Sequence, residues 1–369
     1  MKRRHFGLLL IVFAVAAAWQ LGWANASSAQ TSAPRTAPTP TPTPFATPRP
    51  SPTPNVIDDD EPIKVETELV NLNVRVVDRN NRSINDVPQK DFRIFEDGVA
   101  QQIEFFSRAE VPTNYALLLD GSGSMRSQIE KVIEAGKIFV ASNRPADETA
   151  IIRFISSDKI TIEQNFTSNK ADLEDALENL VVEGGQTAVI DAVYLAVDNV
   201  EQYEKSKNPD DRKRRAVILV SDGEDRDSYY TEKQLVELLR ESETQIYVIG
   251  FINELSKEGG MISRSPQAKA KAFLDRLAAE SGGKAYYPSS ANELPQIARE
   301  ISSEMRSQYS IGYIPTNDAR DGSFRNIKVQ IADGPNGQKR IAVTRAGRTA
   351  DGSKPSLRDN RDVNTRPKN

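Results

Sequence analysis

The run Asp120-Gly121-Ser122-Gly123-Ser124 sets a carboxylate and two hydroxyls on alternate positions, directly after the apolar stretch Tyr115-Ala116-Leu117-Leu118-Leu119. Much later a second apolar stretch, Ala216-Val217-Ile218-Leu219-Val220, ends in Ser221-Asp222-Gly223, and between the two Gly184-Gly185-Gln186-Thr187 precedes a helical pattern. If both stretches are strands of one open α/β sheet, these oxygens collect outside the strands' carboxyl ends, where such sheets bind ligands. The spacing suits one shared pocket. A set made only of oxygen donors is the chemistry of a hard cation. Taken singly, each part has a plainer reading, with Asp120 as a helix N-cap and Asp222 as a turn residue.

What the chain lacks narrows its function further. There is no cysteine, and the single histidine is His5. Beyond the N-terminus, Ser-His-Asp and Cys-His catalysis and Cys/His zinc sites are therefore excluded. A metal-assisted hydrolase using Asp120 as nucleophile or base is the enzymatic alternative. The sequence offers it no Asp-x-Asp at the strand end and no Gly-x-Ser-x-Gly elbow. The 48 basic and 52 acidic residues are interspersed and give a net charge of -4, which makes nucleic acid a poor partner.

The elements that must position these oxygens follow from periodicity. Strands are expected near Tyr115–Asp120, Thr149–Ile155, Ile160–Gln164, Ala216–Ser221, Gln245–Phe251 and Lys284–Tyr287. Helices are expected over Ser127–Ala141, Lys170–Leu180, Ala188–Tyr203, Thr231–Glu241, Ala268–Ala279 and Asn292–Met305. The fold class implied is α/β: a doubly wound, mostly parallel six-stranded sheet with helices on both faces. The short link Ser156-Ser157-Asp158-Lys159 suits a hairpin, so one edge strand is expected to be antiparallel. Alternating patterns at Glu66–Asp78, Phe92–Phe95 and Gln102–Phe106, and again at Tyr309–Ile314, Ile327–Ile331 and Ile341–Thr344, predict a small β module built from both flanks.

The first residues carry Lys2, Arg3 and Arg4, an apolar run from Leu8 to Ala18 and the small-residue pattern Ala24-Asn25-Ala26. This is the layout of a secretory signal over residues 1–29, with an uncleaved membrane anchor as the alternative. Either implies an exported protein, periplasmic, secreted or at the cell surface. Without cysteines such a fold must be held by its core or by bound metal. Residues 30–61 are rich in Pro and Thr and favour extended polyproline II, a tether or a leader without a specific role. The expected boundaries are then a β segment at 62–110, the α/β domain at 111–306, returning strands at 307–346 and a polar, disordered tail at 347–369.

The five oxygen-bearing positions resemble the metal-ion-dependent adhesion site of von Willebrand factor A domains, Asp-x-Ser-x-Ser with a distant Thr and a distant Asp. They are Asp120, Ser122, Ser124, Thr187 and Asp222, and the resemblance runs from about Asn114 to Met305. Gln186 departs from it, standing where the family places Thr straight after the glycines. The segments Lys90–Gly98 and Gln308–Tyr313 look like a bacterial subgroup whose A domain carries an Ig-like β segment. The resemblance implies that Ser122 and Ser124 bind the metal directly, Thr187 directly or through water, and Asp120 and Asp222 largely through water. Mg²⁺ is the first choice, with Mn²⁺ or Ca²⁺ as alternatives. A cation left short of direct anionic ligands takes an Asp or Glu carboxylate from a protein partner. The implied function is metal-dependent binding or adhesion rather than catalysis. The alternative is a scaffold with a vestigial site that binds through its β additions. Glu224, Asp225 and Asp227 read as solvated loop charges, with a second cation as the other possibility. The loops Glu183–Thr187, Ser221–Tyr229 and Asn253–Pro266 are expected to set partner choice.

Overall fold

The computed structural model describes residues 69–350 apart from 206, 208–212 and 259–263. The expected signal segment and Pro/Thr-rich tether lie outside the described residues. The chain opens with β1 (Val70–Val77), β2 (Phe92–Glu96), β3 (Val99–Gln101) and β4 (Ile103–Ser107). An alternating region follows: β5 (Thr113–Asp120), α1 (Ile129–Ser142), β6 (Glu148–Phe154), β7 (Ile160–Thr167), α2 (Lys170–Glu178) and α3 (Val189–Lys205). It continues through β8 (Arg214–Ser221), α4 (Glu232–Glu241), β9 (Gln245–Gly250), α5 (Pro266–Ser281), β10 (Lys284–Tyr286) and α6 (Leu294–Arg306). The described chain closes with β11 (Tyr309–Tyr313), β12 (Phe324–Ile331), β13 (Ile341–Val343) and β14 (Gly347–Thr349).

The alternating region forms the expected six-stranded sheet, in the order β10-β9-β8-β5-β6-β7. Every pairing is parallel except that of β6 with β7, which runs antiparallel through the turn closed by Lys159 N to Ser156 O at 2.9 Å. All eight residues of β5 are buried, as a strand covered on both faces requires. Leu117, Leu119, Ile218 and Val220 pack on one side against α1, α2 and α6. Ala116, Leu118, Val217 and Leu219 pack on the other against α3, α4 and α5. From β5 the chain leaves to β6 on one side, while β8 lies on the other, so strand order reverses between β5 and β8. That is the crevice where open sheets hold ligands.

The flanking strands build two further four-stranded sheets, β13-β1-β11-β4 and β14-β12-β2-β3. Each sheet mixes strands from before and after the alternating region, and Leu72, Val74, Phe92, Ile94, Tyr309 and Tyr313 share one core between them. This module meets the α/β core at the amino ends of the central strands. Arg214, which begins β8, donates to the carbonyls of Met305 and Gln308, and Gln308 donates to Gln245, which begins β9.

Three expectations need correction. Helix α1, expected from Ser127, begins at Ile129, because Gly123–Ser127 forms a 3₁₀ turn first, with Met125 N bonded to Ser122 O at 3.1 Å. Strand β3 was not foreseen, because three residues after a Gly turn carry little periodicity. Residues 347–349, expected in the polar tail, instead form a strand paired with β12, and residues 351–369 lie outside the described residues. The charge that suggested solvent exposure there, Arg348, is buried on Glu96 with Nε to Oε2 at 3.0 Å.

Candidate metal centre

Asp120 ends β5 and is fully buried. Its Oδ1 accepts from the backbone amide of Ser122 at 3.0 Å, and its Oδ2 accepts from the hydroxyl of Ser221 at 2.6 Å. The tight turn that follows needs glycine. A Cβ on Gly121 would stand 3.2 Å from both Arg153 Cγ and the carbonyl of Val181, while its own carbonyl accepts from Glu183 N at 3.2 Å. The turn brings Ser122 Oγ within 3.1 Å of Ser124 Oγ, and Thr187 Oγ1 donates to Ser122 Oγ at 3.0 Å. Two neighbouring hydroxyls and one distant in sequence therefore form one continuous group. Ser122 and Thr187 are buried, whereas Ser124 is exposed and marks the mouth.

Asp222 follows the end of β8 and is 4% exposed, with Oδ1 accepting from Glu224 N at 3.0 Å. Gly223 turns the chain away at φ +76°, where a Cβ would stand 2.7 Å from Leu274 Cδ1. Because β5 and β8 are adjacent, the two carboxylates lie near enough for Asp120 to feel the charge of Asp222. Burial, and then the charge of Asp222, push the Asp120 carboxyl up to about 7, against the opposing effect of its bonds to Ser122 and Ser221. Two buried acids with hydroxyls between them fit a hard divalent cation, whose charge relieves both their desolvation and their repulsion. Among the described residues no group of three or more His, Cys, Asp or Glu could hold a metal, so a cation here would need donors besides carboxylates, which the hydroxyls offer.

Gln186 does not displace Thr187, whose hydroxyl reaches the serines across the extra residue. The acidic loop is a row of solvated charges only in part: Asp227 is exposed, whereas Glu224 and Asp225 are half-buried. Asp225 Oδ1 accepts from Ile190 N at 3.0 Å and from Ser228 Oγ at 2.6 Å, capping the start of α3, and burial raises its carboxyl above the ordinary value. Glu224 pairs with Arg226, and Asp227 faces the amide of Ser157 at 3.4 Å. Sequence reasoning missed Ser221 and Asp191, the residues that orient Asp120 and this loop. Ser221 carried a signal in standing immediately before Asp222 at a strand end. Asp191 carried none beyond an acidic residue in a helix's first turn.

Residues 114–300, half of the chain, match the von Willebrand factor type A domain. The chain belongs to that family. Domains of this kind commonly serve protein interaction. An uncharacterized protein of Synechocystis sp. is 31% identical over 156 residues, covering 42% of this chain and 34% of that protein, so the match spans about a third of the relative's length. Among solved structures, the von Willebrand factor type A protein from Catenulispora acidiphila is 11% identical, covers 77% of this chain and 75% of its own, and has a TM-score of 0.42. Proximal thread matrix protein 1 of the mussel byssus, with a zinc-occupied MIDAS motif, is 19% identical over 57% of this chain and 49% of its own, at a TM-score of 0.41. An aerotolerance-related membrane protein from Bacteroides fragilis is 20% identical over 52% of this chain and 98% of its own, at 0.40.

Proposed function

We propose that this A domain is an exported, non-enzymatic binding module that captures a protein partner through a divalent cation, Mg²⁺ first. Ser122, Ser124 and Thr187 would offer hydroxyls to the ion, and Asp120 and Asp222 would supply the charge that retains it. When bound, the cation supplies a Lewis-acid position for an incoming carboxylate. The observation that carries this reading is the contact of three hydroxyls beside two buried acids, with one hydroxyl, that of Ser124, open to solvent. Both oxygens of Asp120 already accept from protein donors, which suits contact with the ion through water. An Asp or Glu from a partner then meets a cation that lacks direct anionic ligands. Export rests on the composition of residues 1–29. Among the described residues no helix is long and apolar enough to cross a membrane.

Titration calorimetry with Mg²⁺, Mn²⁺ and Ca²⁺, followed by capture of partners from the native envelope with and without EDTA, tests the reading. Binding heat in at least one titration, and partners lost on chelation and on Asp120→Ala, are expected. No heat with any ion, or capture indifferent to EDTA, would refute it.

A further inference from the structure

Asp191 sits in the first turn of α3, 1% exposed, and among the described residues no ion pair reaches it. Its Oδ1 accepts from Tyr230 N at 2.8 Å, and its Oδ2 accepts from Tyr229 N at 2.9 Å and from the hydroxyl of Ser157. The backbone amide of Asp191 in turn donates to Ser228 Oγ at 3.1 Å. A few residues earlier, the carbonyl of Thr187 accepts from Arg226 N at 2.8 Å and Asp227 N at 3.2 Å. The loop leaving Asp222 is thus tied at its middle to Thr187 and at its far end to Asp191. Bonds from amides to an ionised acceptor are the strong class of hydrogen bond, and a carboxylate in a helix's first turn is favoured by the helix dipole.

We infer that Asp191 is a positioning residue for the cation: it locks the loop bearing Asp222 onto the segment bearing Thr187, so that two candidate ligands remote in sequence behave as one rigid piece. The inference rests on the metal-centre reading above. Asp191 acts through the loop and not as one of the five candidate ligands: its oxygens accept from three protein donors in two other loops. Without its carboxylate those donors lose their acceptor, the loop takes several arrangements, and binding the ion must order them again. Affinity falls although no ligand has changed.

The test uses the full chain, Mg²⁺ calorimetry and hydrogen exchange over residues 222–231. Asp191→Asn keeps the side chain's shape but turns an amide group toward backbone N–H donors. Its Kd for Mg²⁺ is expected to rise about ten-fold, as for groups that orient metal ligands from outside the coordination sphere. Exchange in the loop should quicken as well. Asp225→Asn, which loosens the same loop at Ile190, should act in the same direction and serves if the first variant does not fold. Glu304→Gln, in the β-module interface, should lower the melting temperature with Kd unchanged. A wild-type Kd in Asp191→Asn overturns the inference whatever its melting temperature. So does an equal rise in Glu304→Gln, or a raised Kd with unaltered loop exchange, which would mean that the charge acts through space. Absence of Mg²⁺, Mn²⁺ and Ca²⁺ binding in the unsubstituted protein removes the metal centre itself, an outcome visible before any substitution is made.

Discussion

The hydroxyl of Ser221 donates to Oδ2 of Asp120 at 2.6 Å while accepting from the amide of Gly223 at 2.9 Å. The strand that carries one acid of the site therefore orients the other, and the turn placing Asp222 is fixed by the same atom. Ser221→Ala leaves a buried carboxylate oxygen and a buried amide without this partner. A loss of about 1–3 kcal/mol in urea unfolding is expected. A rise of roughly ten-fold in the Mg²⁺ Kd should accompany it. An unchanged Kd would mean that Asp120 needs no orienting for the cation to bind.

Asp120 also sets a pH dependence. Its carboxyl is raised from 3.8 to about 7 in the folded protein, by burial first and by Asp222 second. Between those values the metal-free folded state holds a proton that the unfolded chain has released, so stability falls as pH rises and the loss is complete above about 7. The effect is on the order of a few kcal/mol. A bound cation competes with that proton, so Mg²⁺ affinity should strengthen from pH 5.5 to 7.5 and level off beyond. In EDTA, Asp120→Asn should lose less stability than wild type over the same range. Parallel melting curves for the two across this range would show that Asp120 does not titrate there.

The α/β core was legible because its strands are nearly unbroken apolar runs and its helices repeat every three to four residues. The antiparallel edge was legible too, since Ser156-Ser157-Asp158-Lys159 leaves no room for a crossover helix. Asp120, Ser122 and Ser124 could be gathered from local spacing, and Thr187 and Asp222 from strand ends plus a family pattern. Side-chain partners were not legible. Asp225 and Arg348 look like surface charges in the sequence, and only pairing across the fold, to Ile190 N and to Glu96, explains why the first is half-buried and the second buried. The role of Asp191 was hidden for the same reason, because its donors come from residues 157, 229 and 230.

Arg75 of β1 and Glu304 of α6 pair at 2.8 Å with side chains 4% and 5% exposed, which joins the β module to the α/β core through a desolvated ion pair. Removing Arg75 leaves buried Glu304 only its longer pair with Lys284 at 3.5 Å, so Arg75→Ala should cost up to about 3–5 kcal/mol. The pair lies away from the carboxyl ends of the strands, and the Mg²⁺ Kd should not change. Denaturant unfolding and calorimetry on the same variant separate the two effects. A large change in Kd would show that the interface reaches the metal site.

The β module should be required for the stability of the A domain but not for its metal chemistry. Both flanking sheets join strands from before residue 114 to strands from after residue 305: they alternate in β13-β1-β11-β4, and in β14-β12-β2-β3 they meet at the β12–β2 pair. Neither flank can therefore hide its apolar face alone, and paired strands in isolation are marginal in water. The α/β core depends on the module in turn. Arg214 is 4% exposed and donates to the carbonyls of Met305 and Gln308, and Gln245, 3% exposed, accepts from Gln308. A chain limited to residues 114–305 would expose or orphan these buried polar groups at the amino ends of β8 and β9, with each unmet donor or acceptor costing about 1–3 kcal/mol. Its melting temperature should fall well below that of residues 63–350. Any fraction that remains folded should bind Mg²⁺ within a few-fold of the longer chain, because the five candidate ligands lie at the opposite ends of the strands. Equal melting temperatures would make the module an independent appendage. Loss of Mg²⁺ binding from a folded core would instead make it part of the site.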